Sequence, residues 1–376
     1  MSERPALRIL HIGTERRWRG GENQIRLLIE GSAGRIVHAV AYPGGSPGLA
    51  RFASLAPVVP LRRAAPTSLA DVLALRRFCR EHDIGILDAH SGNAHTLALL
   101  VAAGLPRTAV VVHRRVASRI RPGLYNRWKY RSPRVARFVA ISNYIAEALA
   151  ASGVPRERIT VVHSGVPLVT TAADARAAAG TALRRRLGLT PECVLFGNAS
   201  ALTGEKGYPV LLDALARLRG IAAFPFHCLI AGDGPLRPTL ERQAAAAGIA
   251  GDVTFLGHID DVAGLLRGLD VLAMPSRREG LGTLLLDATL AGCTLAATAA
   301  GGIPEIVRDD DTGLLSPPDD AVALAVNLAR LGAEPALRRR LHAAALDLVR
   351  RDYAVDRMIA GNLDVYAAVA REQGCG

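Results

Sequence analysis

Apolar runs of strand length, each followed by a turn and a longer stretch of helical period, recur along most of this chain, and that rhythm leaves few folds open. Leu7–Ile12, Ile36–Ala41, Ile84–Ala89, Ala109–His113 and Phe138–Ile141 form a first series. Val194–Asn198, Phe226–Ala231, Val253–Leu256, Val271–Met274 and Leu295–Thr298 form a second. Strands that are apolar on both faces need helices on both faces, so each series predicts a parallel sheet wrapped by helices. Pro167 to Gly180, Ala/Thr-rich and without apolar period, reads as the linker, and a basic helix is expected to open at Thr181. The expected architecture is α/β, with two Rossmann-like, doubly wound domains over 1–172 and 185–354, and the length of 376 residues suits two cores. Ligands of such sheets bind beyond the carboxyl ends of the strands. The post-strand loops, and a cleft between the facing domains, are therefore the expected place for chemistry.

Composition narrows the function classes. With 50% hydrophobic and 21% charged residues the chain can bury sizeable cores, which excludes a disordered protein. The five cysteines, Cys79, Cys193, Cys228, Cys293 and Cys375, form no C-x-x-C pair and predict a reducing, cytoplasmic compartment without a metal cage. Met1–Pro5 leads straight into the first strand, and no apolar run reaches the ~18 residues of a membrane span, so neither export nor spanning is expected.

The net charge of +12 is uneven: residues 1–180 hold 26 Lys+Arg against 11 Asp+Glu, and 181–376 hold 20 against 23. Arg107 to Arg137 contains Arg114, Arg115, Arg119, Arg121, Arg127, Lys129, Arg131 and Arg134 as well, and no acid. Such a field attracts a phosphorylated substrate, an anionic bilayer or a nucleic acid; the plain alternative is a solvated arginine-rich face. Nucleic acid is disfavoured, because aromatics are 4% of residues and Tyr125, Trp128 and Tyr130 make a thin stacking platform. No G-x-G-x-x-G opens either half, which disfavours a dinucleotide oxidoreductase.

The segment Pro275-Ser-Arg-Arg-Glu-Gly-Leu-Gly-Thr-Leu-Leu-Leu-Asp follows a strand, and its glycines, Gly280 and Gly282, introduce a helix expected to start near Thr283. Free amides at a helix start make an anion site. Glu279 lies before the glycines and Asp287 about one turn inside the helix, so the two carboxylates can flank one ligand and accept from paired sugar or ribose hydroxyls. The alternative for this pair is a helix cap beside a surface acid.

Four further stretches accompany it: Phe196-Gly-Asn-Ala-Ser-Ala-Leu-Thr-Gly-Glu-Lys-Gly-Tyr, then Ala231-Gly-Asp-Gly-Pro-Leu, then Phe255-Leu-Gly-His-Ile, then Ala300-Gly-Gly-Ile-Pro-Glu-Ile-Val. In this order and spacing the chain resembles glycosyltransferase family 4, retaining enzymes of the GT-B fold, most closely over Val194 to Leu328, with a softer likeness to lipopolysaccharide-core enzymes. The resemblance implies that Glu279 meets hydroxyls of the transferred sugar, that the amides of Leu281 to Thr283 meet the diphosphate, and that Asp287 holds the ribose. The family usually has glutamate at the last position. Lys206 matches the family lysine that neutralises the diphosphate, and it is one of only two lysines beside 44 arginines. The accompanying family arginine is missing, with Ser200 or Ala201 in its place. Ile259 falls where the family lets a backbone group meet the nucleobase.

In the first half, Gly20 and Gly21 follow the first strand, precede a helix expected from about Asn23, and match the family's Gly-Gly-x-Glu loop beside the donor phosphate. His113 ends a strand where the family carries a histidine near the reacting sugar. His90 and His95 form a second polar loop assigned to the acceptor side with Arg114 and Arg115. The last helical pattern, Tyr353 to Ala370, is expected to cross back onto the first domain, which then takes in 355–376. The resemblance thus implies transfer from a UDP-, GDP- or ADP-sugar to a glycan, lipid-linked or phosphorylated acceptor, with no metal and no resident cofactor. Peripheral contact with an anionic membrane surface is expected, and nucleic-acid binding is not. A sugar-nucleotide epimerase of the same fold and a basic nucleic-acid-binding protein are the rivals.

Overall fold

The computed structural model describes residues 7–62, 68–116 and 120–373. Arg119 of the basic run, Cys375 and the Met1–Pro5 segment lie outside the described residues. The chain divides into two compact units, residues 1–165 with 355–376, and residues 166–354.

The first unit runs β1 (Leu7–Ile12), α1 (Gly20–Gly31), β2 (Ile36–Pro43), α2 (Pro47–Phe52), β3 (Val58–Leu61), α3 (Leu69–Glu81) and β4 (Ile86–Ala89). It continues with α4 (Gly92–Ala102), β5 (Ala109–Arg114), α5 (Leu124–Arg131), β6 (Val135–Ala140), α6 (Asn143–Ala151) and β7 (Ile159–Val161). The strands form one parallel sheet in the order β3-β2-β1-β4-β5-β6-β7, with Leu7 beside Ile36 and Ile9 beside Ile86. Helix α1 begins at Gly20 rather than Asn23, because the Glu22 carboxylate accepts the Arg19 amide at 3.0 Å and caps the first turn. Two residues on, Gln24 exchanges two 2.8 Å hydrogen bonds with the backbone of Gly165.

The second unit runs α7 (Ala173–Arg186), β8 (Val194–Ala199), α8 (Tyr208–Ile221), β9 (Phe226–Ala231), α9 (Arg237–Ala246), β10 (Val253–Gly257) and α10 (Val262–Gly268). It is completed by β11 (Val271–Met274), α11 (Thr283–Ala291), β12 (Thr294–Thr298), β13 (Leu314–Ser316), α12 (Ala321–Ala333) and α13 (Pro335–Asp352). Its parallel sheet has the order β10-β9-β8-β11-β12-β13. Phe196, Tyr208, Leu212 and Ile230 are fully enclosed in its core, and each large apolar side chain so buried stabilises by about 1.5–3 kcal/mol. Helix α7 occupies much of the stretch expected to be a linker. Its alanines give it strong helix propensity without large apolar residues to mark a period, and its buried residues are Gly180 and Leu183.

The final helix, α14 (Val355–Glu372), belongs to the first unit, where Met358, Ile359, Val365 and Tyr366 join the core of Ile9, Leu28, Val111 and Val139. Among the described residues no helix is long and apolar enough to cross a membrane, and Cys79, Cys193, Cys228 and Cys293 are buried free thiols.

Candidate active site

In the second unit the strand order reverses between β8 and β11, so the loops leaving these two strands lie side by side at the carboxyl rim. One loop carries Lys206 and the other Glu279. Lys206 Nζ donates to Glu279 Oε2 at 2.6 Å, and Ser276 Oγ donates to the same oxygen at 3.3 Å. The two side chains are 23% and 18% exposed, so water still reaches the pair. A solvated ion pair of this kind contributes about 0–1 kcal/mol. A ligand presenting a hydroxyl to the carboxylate and a phosphate to the ammonium can therefore part it at small cost.

Local packing fixes both loops. The fully buried Tyr208 hydroxyl bonds to Asn198 Oδ1 at 3.0 Å and to Ser200 Oγ at 2.8 Å, while Asn198 Nδ2 donates to Ala273 O at 2.6 Å, tying the ends of β8 and β11 together. Gly207 has φ +68°, and a Cβ there would stand 1.9 Å from Pro275 O. Gly301, at φ +61°, passes so close to the Glu279 backbone that a Cβ would stand 1.9 Å from its carbonyl oxygen. These two positions admit only glycine. Gly280 and Leu281 then lead to Gly282 at φ +91°, which precedes Thr283, the first residue of α11, and no side chain caps this helix. Its first amides face the loop with no side-chain partner.

Asp287 sits in the middle of α11 and is exposed by surface area, yet the protein crowding it pushes its carboxyl up to about 6. In contact with water, the carboxylate keeps its charge near neutrality. Ile259 follows β10 and lines a cavity of about 880 Å³ between α7 and α10.

In the first unit the order reverses between β1 and β4, and one buried carboxylate occupies that position. Asp88 Oδ2 accepts from Tyr366 Oη at 2.5 Å and lies 3.1 Å from both His11 Nδ1 and His90 Nε2. His113 Nε2 is 3.1 Å from Asp88 Oδ1 but misaligned, so neither atom has a hydrogen-bond partner. Burial alone would raise the Asp88 pKa, but the nearby His113 and His90 rings and the hydrogen bond from His11 outweigh it and hold the carboxyl well below its usual range. The line continues outward: His11 Nε2 is 2.9 Å from His38 Nδ1, and His38 Nε2 is 2.8 Å from Ser32 Oγ. Because Ser32 Oγ donates to the Leu28 carbonyl, it accepts from His38, which fixes the proton on His38 Nε2. His11, Asp88 and His90 also offer one ligand atom each within 4.8 Å, so these three could hold a metal ion.

Gly20 and Gly21 open α1 beside this cluster, and the Arg115 side chain lies against Gly21, 3.4 Å from where a Cβ would be. Arg115 Nη2 reaches His90 Nδ1 at 3.5 Å while its buried Nε has no partner. Arg114 donates to Tyr130 Oη at 3.3 Å. His95 is buried on α4 with its ring edge-on to Tyr130 and Phe138, away from the His90 group. Lys129 is also turned inward, and burial beside Arg114 lowers its pKa to about 8. Arg121, Arg127 and Arg131 line a cavity of about 860 Å³ between α5 and α6, and Leu124, Tyr125 and Trp128 are exposed on α5.

Two family models match this chain, Glycosyltransferase Family 4 over residues 18–169 and Glycosyl transferases group 1 over residues 190–334, and together they account for most of it. The chain belongs to the family 4 glycosyltransferases. Like the family, it has the GT-B arrangement of two Rossmann-like domains. Its relatives include a D-inositol 3-phosphate glycosyltransferase of Streptomyces bingchenggensis, 34% identical over 58% of this chain and 50% of that protein. The chain thus spans about half the length of the curated relatives it matches. Among solved structures, Anabaena HepE in complex with UDP and glucose superposes with a TM-score of 0.83 at 20% identity, over 96% of this chain and 100% of that one. The lipopolysaccharide outer core galactosyltransferase WaaB gives 0.73 at 16% identity, over 96% and 100%.

In this chain the sequence reading missed Asp88, His11, His38 and Tyr366 in one unit and Asn198 and Tyr208 in the other. A signal was available for two of them. His11 and His38 interrupt otherwise apolar, doubly covered strands, and a buried polar side chain requires a partner.

Proposed function

We propose that the protein transfers a sugar from a UDP-, GDP- or ADP-sugar to a hydroxyl of a glycan, lipid-linked or phosphorylated acceptor with retention of configuration. The observation that carries this reading is the Lys206–Glu279 pair, 2.6 Å apart, beside the uncapped start of α11. Glu279 accepts from hydroxyls of the sugar, while Lys206 and the amides of Leu281 to Thr283 take the diphosphate. As the sugar–phosphate bond breaks, the charge growing on the leaving oxygen is met by donors already in place. That oxygen receives the acceptor's proton as the hydroxyl attacks the same face, so no side-chain base behind the anomeric carbon is needed. The ammonium and amides supply the positive charge, and the transfer requires neither a metal nor a resident cofactor. Asp287 holds the ribose at the reach of a side chain one methylene shorter than glutamate, and Ile259 borders the base. From the first unit, Gly20 and Gly21 are assigned to the donor phosphate and His113 to the reacting sugar.

The acceptor reading rests on the Arg121, Arg127 and Arg131 cavity, a wall suited to phosphate, and on the exposed Leu124, Tyr125 and Trp128 beside it, which suit a bilayer surface. The names of the relatives, which include inositol phosphate and lipopolysaccharide-core glycosyltransferases, support a role in glycolipid or envelope-polysaccharide synthesis at the inner membrane face. A thermal-shift panel of nucleotides and nucleotide sugars tests the donor half, the largest rise naming the base. No stabilisation by any nucleotide diphosphate would overturn it. Product analysis without acceptor separates transfer from epimerisation, since an epimerase converts the donor alone.

A further inference from the structure

The second unit holds a basic cavity at the rim opposite the Lys206 and Glu279 loops. Around the amino ends of β11 and β12, two adjoining hollows of about 300 and 240 Å³ share Arg176, Asp270, Gly292 and His342 as walls. The Glu279 loop leaves the other end of β11, and four residues of strand at ~3.3 Å each set the rims more than about 10 Å apart. A small ligand in this cavity does not reach the Glu279 loop.

Its charges do not balance. Arg176 and Arg184 come from α7, Arg338, Arg339 and His342 from α13, and the one acid among the named wall residues is Asp270. Asp270 is already used, paired with Arg184 and accepting the Leu195 amide at 2.8 Å. Among the described residues, Arg176, Arg338 and Arg339 have no carboxylate within ion-pair distance. Burial depresses the Arg338 pKa, Asp270 offsets part of this, and Arg176, Arg184 and Arg339 deepen it. Three guanidinium groups thus line one cavity whose named acid, Asp270, is already paired with Arg184.

The backbone is shaped for this arrangement. Gly292, at φ +99°, lies under the Arg176 side chain, where a Cβ would come within 2.4 Å of its Cδ. A Cβ at Gly180 would come within 2.9 Å of Arg184 Nη1. Arg176 Nη2 donates to the Leu269 carbonyl at 3.3 Å, which accounts for one edge of the guanidinium, but its Nε is buried with no acceptor at all. Helix capping explains Arg338, which donates to the Gly332 carbonyl at 3.0 Å, and leaves Arg176 Nε unpartnered, with the exposed Arg339 lining the same cavity.

We propose that this cavity is a second ligand site, which binds a small phosphorylated molecule. Phosphate fits the donors best. Its several oxygens accept from more than one guanidinium at once, its double charge answers the surplus, and the volume lies at the lower end of small-molecule pockets.

The test is calorimetric titration of the full chain with inorganic pyrophosphate. The donor loops also bind phosphate in the reading above, so Lys206→Gln serves as the background. The expected result is a pyrophosphate site that persists in Lys206→Gln and weakens about tenfold or more when Arg176→Gln and Arg339→Gln are added. Both added changes spare the α12 cap and the Arg184–Asp270 pair, and circular dichroism checks that the fold is kept. Loss of all pyrophosphate binding in Lys206→Gln alone would overturn the proposal, as would unchanged affinity after the two arginine changes. Failure of the donor reading shows differently, as a Lys206→Gln chain that binds nucleotide sugars like the parent.

Discussion

Replacing His38 by asparagine tests the buried histidine line of the first unit through its proton balance. His38 is held neutral, because burial first, and then His11, depress its pKa from 6.5 to about 3 against the opposing pull of Asp88. The sign follows directly. Above pH 6.5 neither the folded nor the unfolded chain protonates this ring, and its contribution to stability is complete. As pH falls below 6.5 the unfolded chain takes up a proton that the folded one refuses, and stability is lost until about pH 3. Each pH unit in that window costs about 1.4 kcal/mol, so by pH 5 the ring has cost the parent about 2 kcal/mol. His38→Asn removes the titration together with the 2.8 and 2.9 Å contacts to Ser32 and His11, whose loss costs about 1–2 kcal/mol. The variant is therefore expected to be less stable than the parent at pH 7 and to draw level near pH 5. Both tryptophans, Trp18 and Trp128, lie in the first unit. Urea unfolding followed by tryptophan fluorescence thus reports that unit without interference from the other. A gap between parent and variant that is the same at both pH values would refute the reasoning.

Lys206→Ala and Glu279→Ala should each lower kcat for transfer about 10²–10³-fold, as loss of a preorganised donor or sugar contact does, with little change in melting temperature because the pair is solvated; unchanged turnover in either sinks the site assignment. Gly301→Ala forces a Cβ to within 1.9 Å of the Glu279 carbonyl at φ +61°, and should destabilise the second unit by about 2 kcal/mol or more and weaken donor binding in the same variant. Retained donor affinity would show that the loop closes without that contact. Leu124→Glu with Trp128→Glu should reduce co-sedimentation with phosphatidylglycerol vesicles while leaving turnover on a soluble acceptor intact, and equal sedimentation of parent and variant removes α5 as the docking face.

How much of this was legible in the sequence depended on the range over which each signal acts. The long central strands, such as Phe226–Ala231, are covered on both faces and declare themselves as apolar runs. β7 and β13, three residues each, do not. Helix α7 was hidden for a different reason, since alanine carries propensity without amphipathic contrast, and a reading based on period takes it for a linker. The Lys206 and Glu279 loops were legible because local rules act there: a glycine-rich turn after a strand and a helix start after it. Gly207 and Gly301 are required by contacts with Pro275 and Glu279, which are distant in sequence. The Asp88 cluster lay at the far end of that scale. Its members come from β1, β2, β4, β5 and α14, and Tyr366 is 278 residues from the carboxylate it binds. Strand order brings the strand members together, β1 and β4 being neighbours because the chain reverses its direction of growth between them, and α14 packing on the same sheet adds Tyr366. The same reversal between β8 and β11 assembles Lys206 and Glu279. Asp88 therefore stands in the first unit where the Lys206–Glu279 pair stands in the second, at the switch point of its sheet, and the residues worth testing in a doubly wound domain can be sought from strand order before any motif is matched.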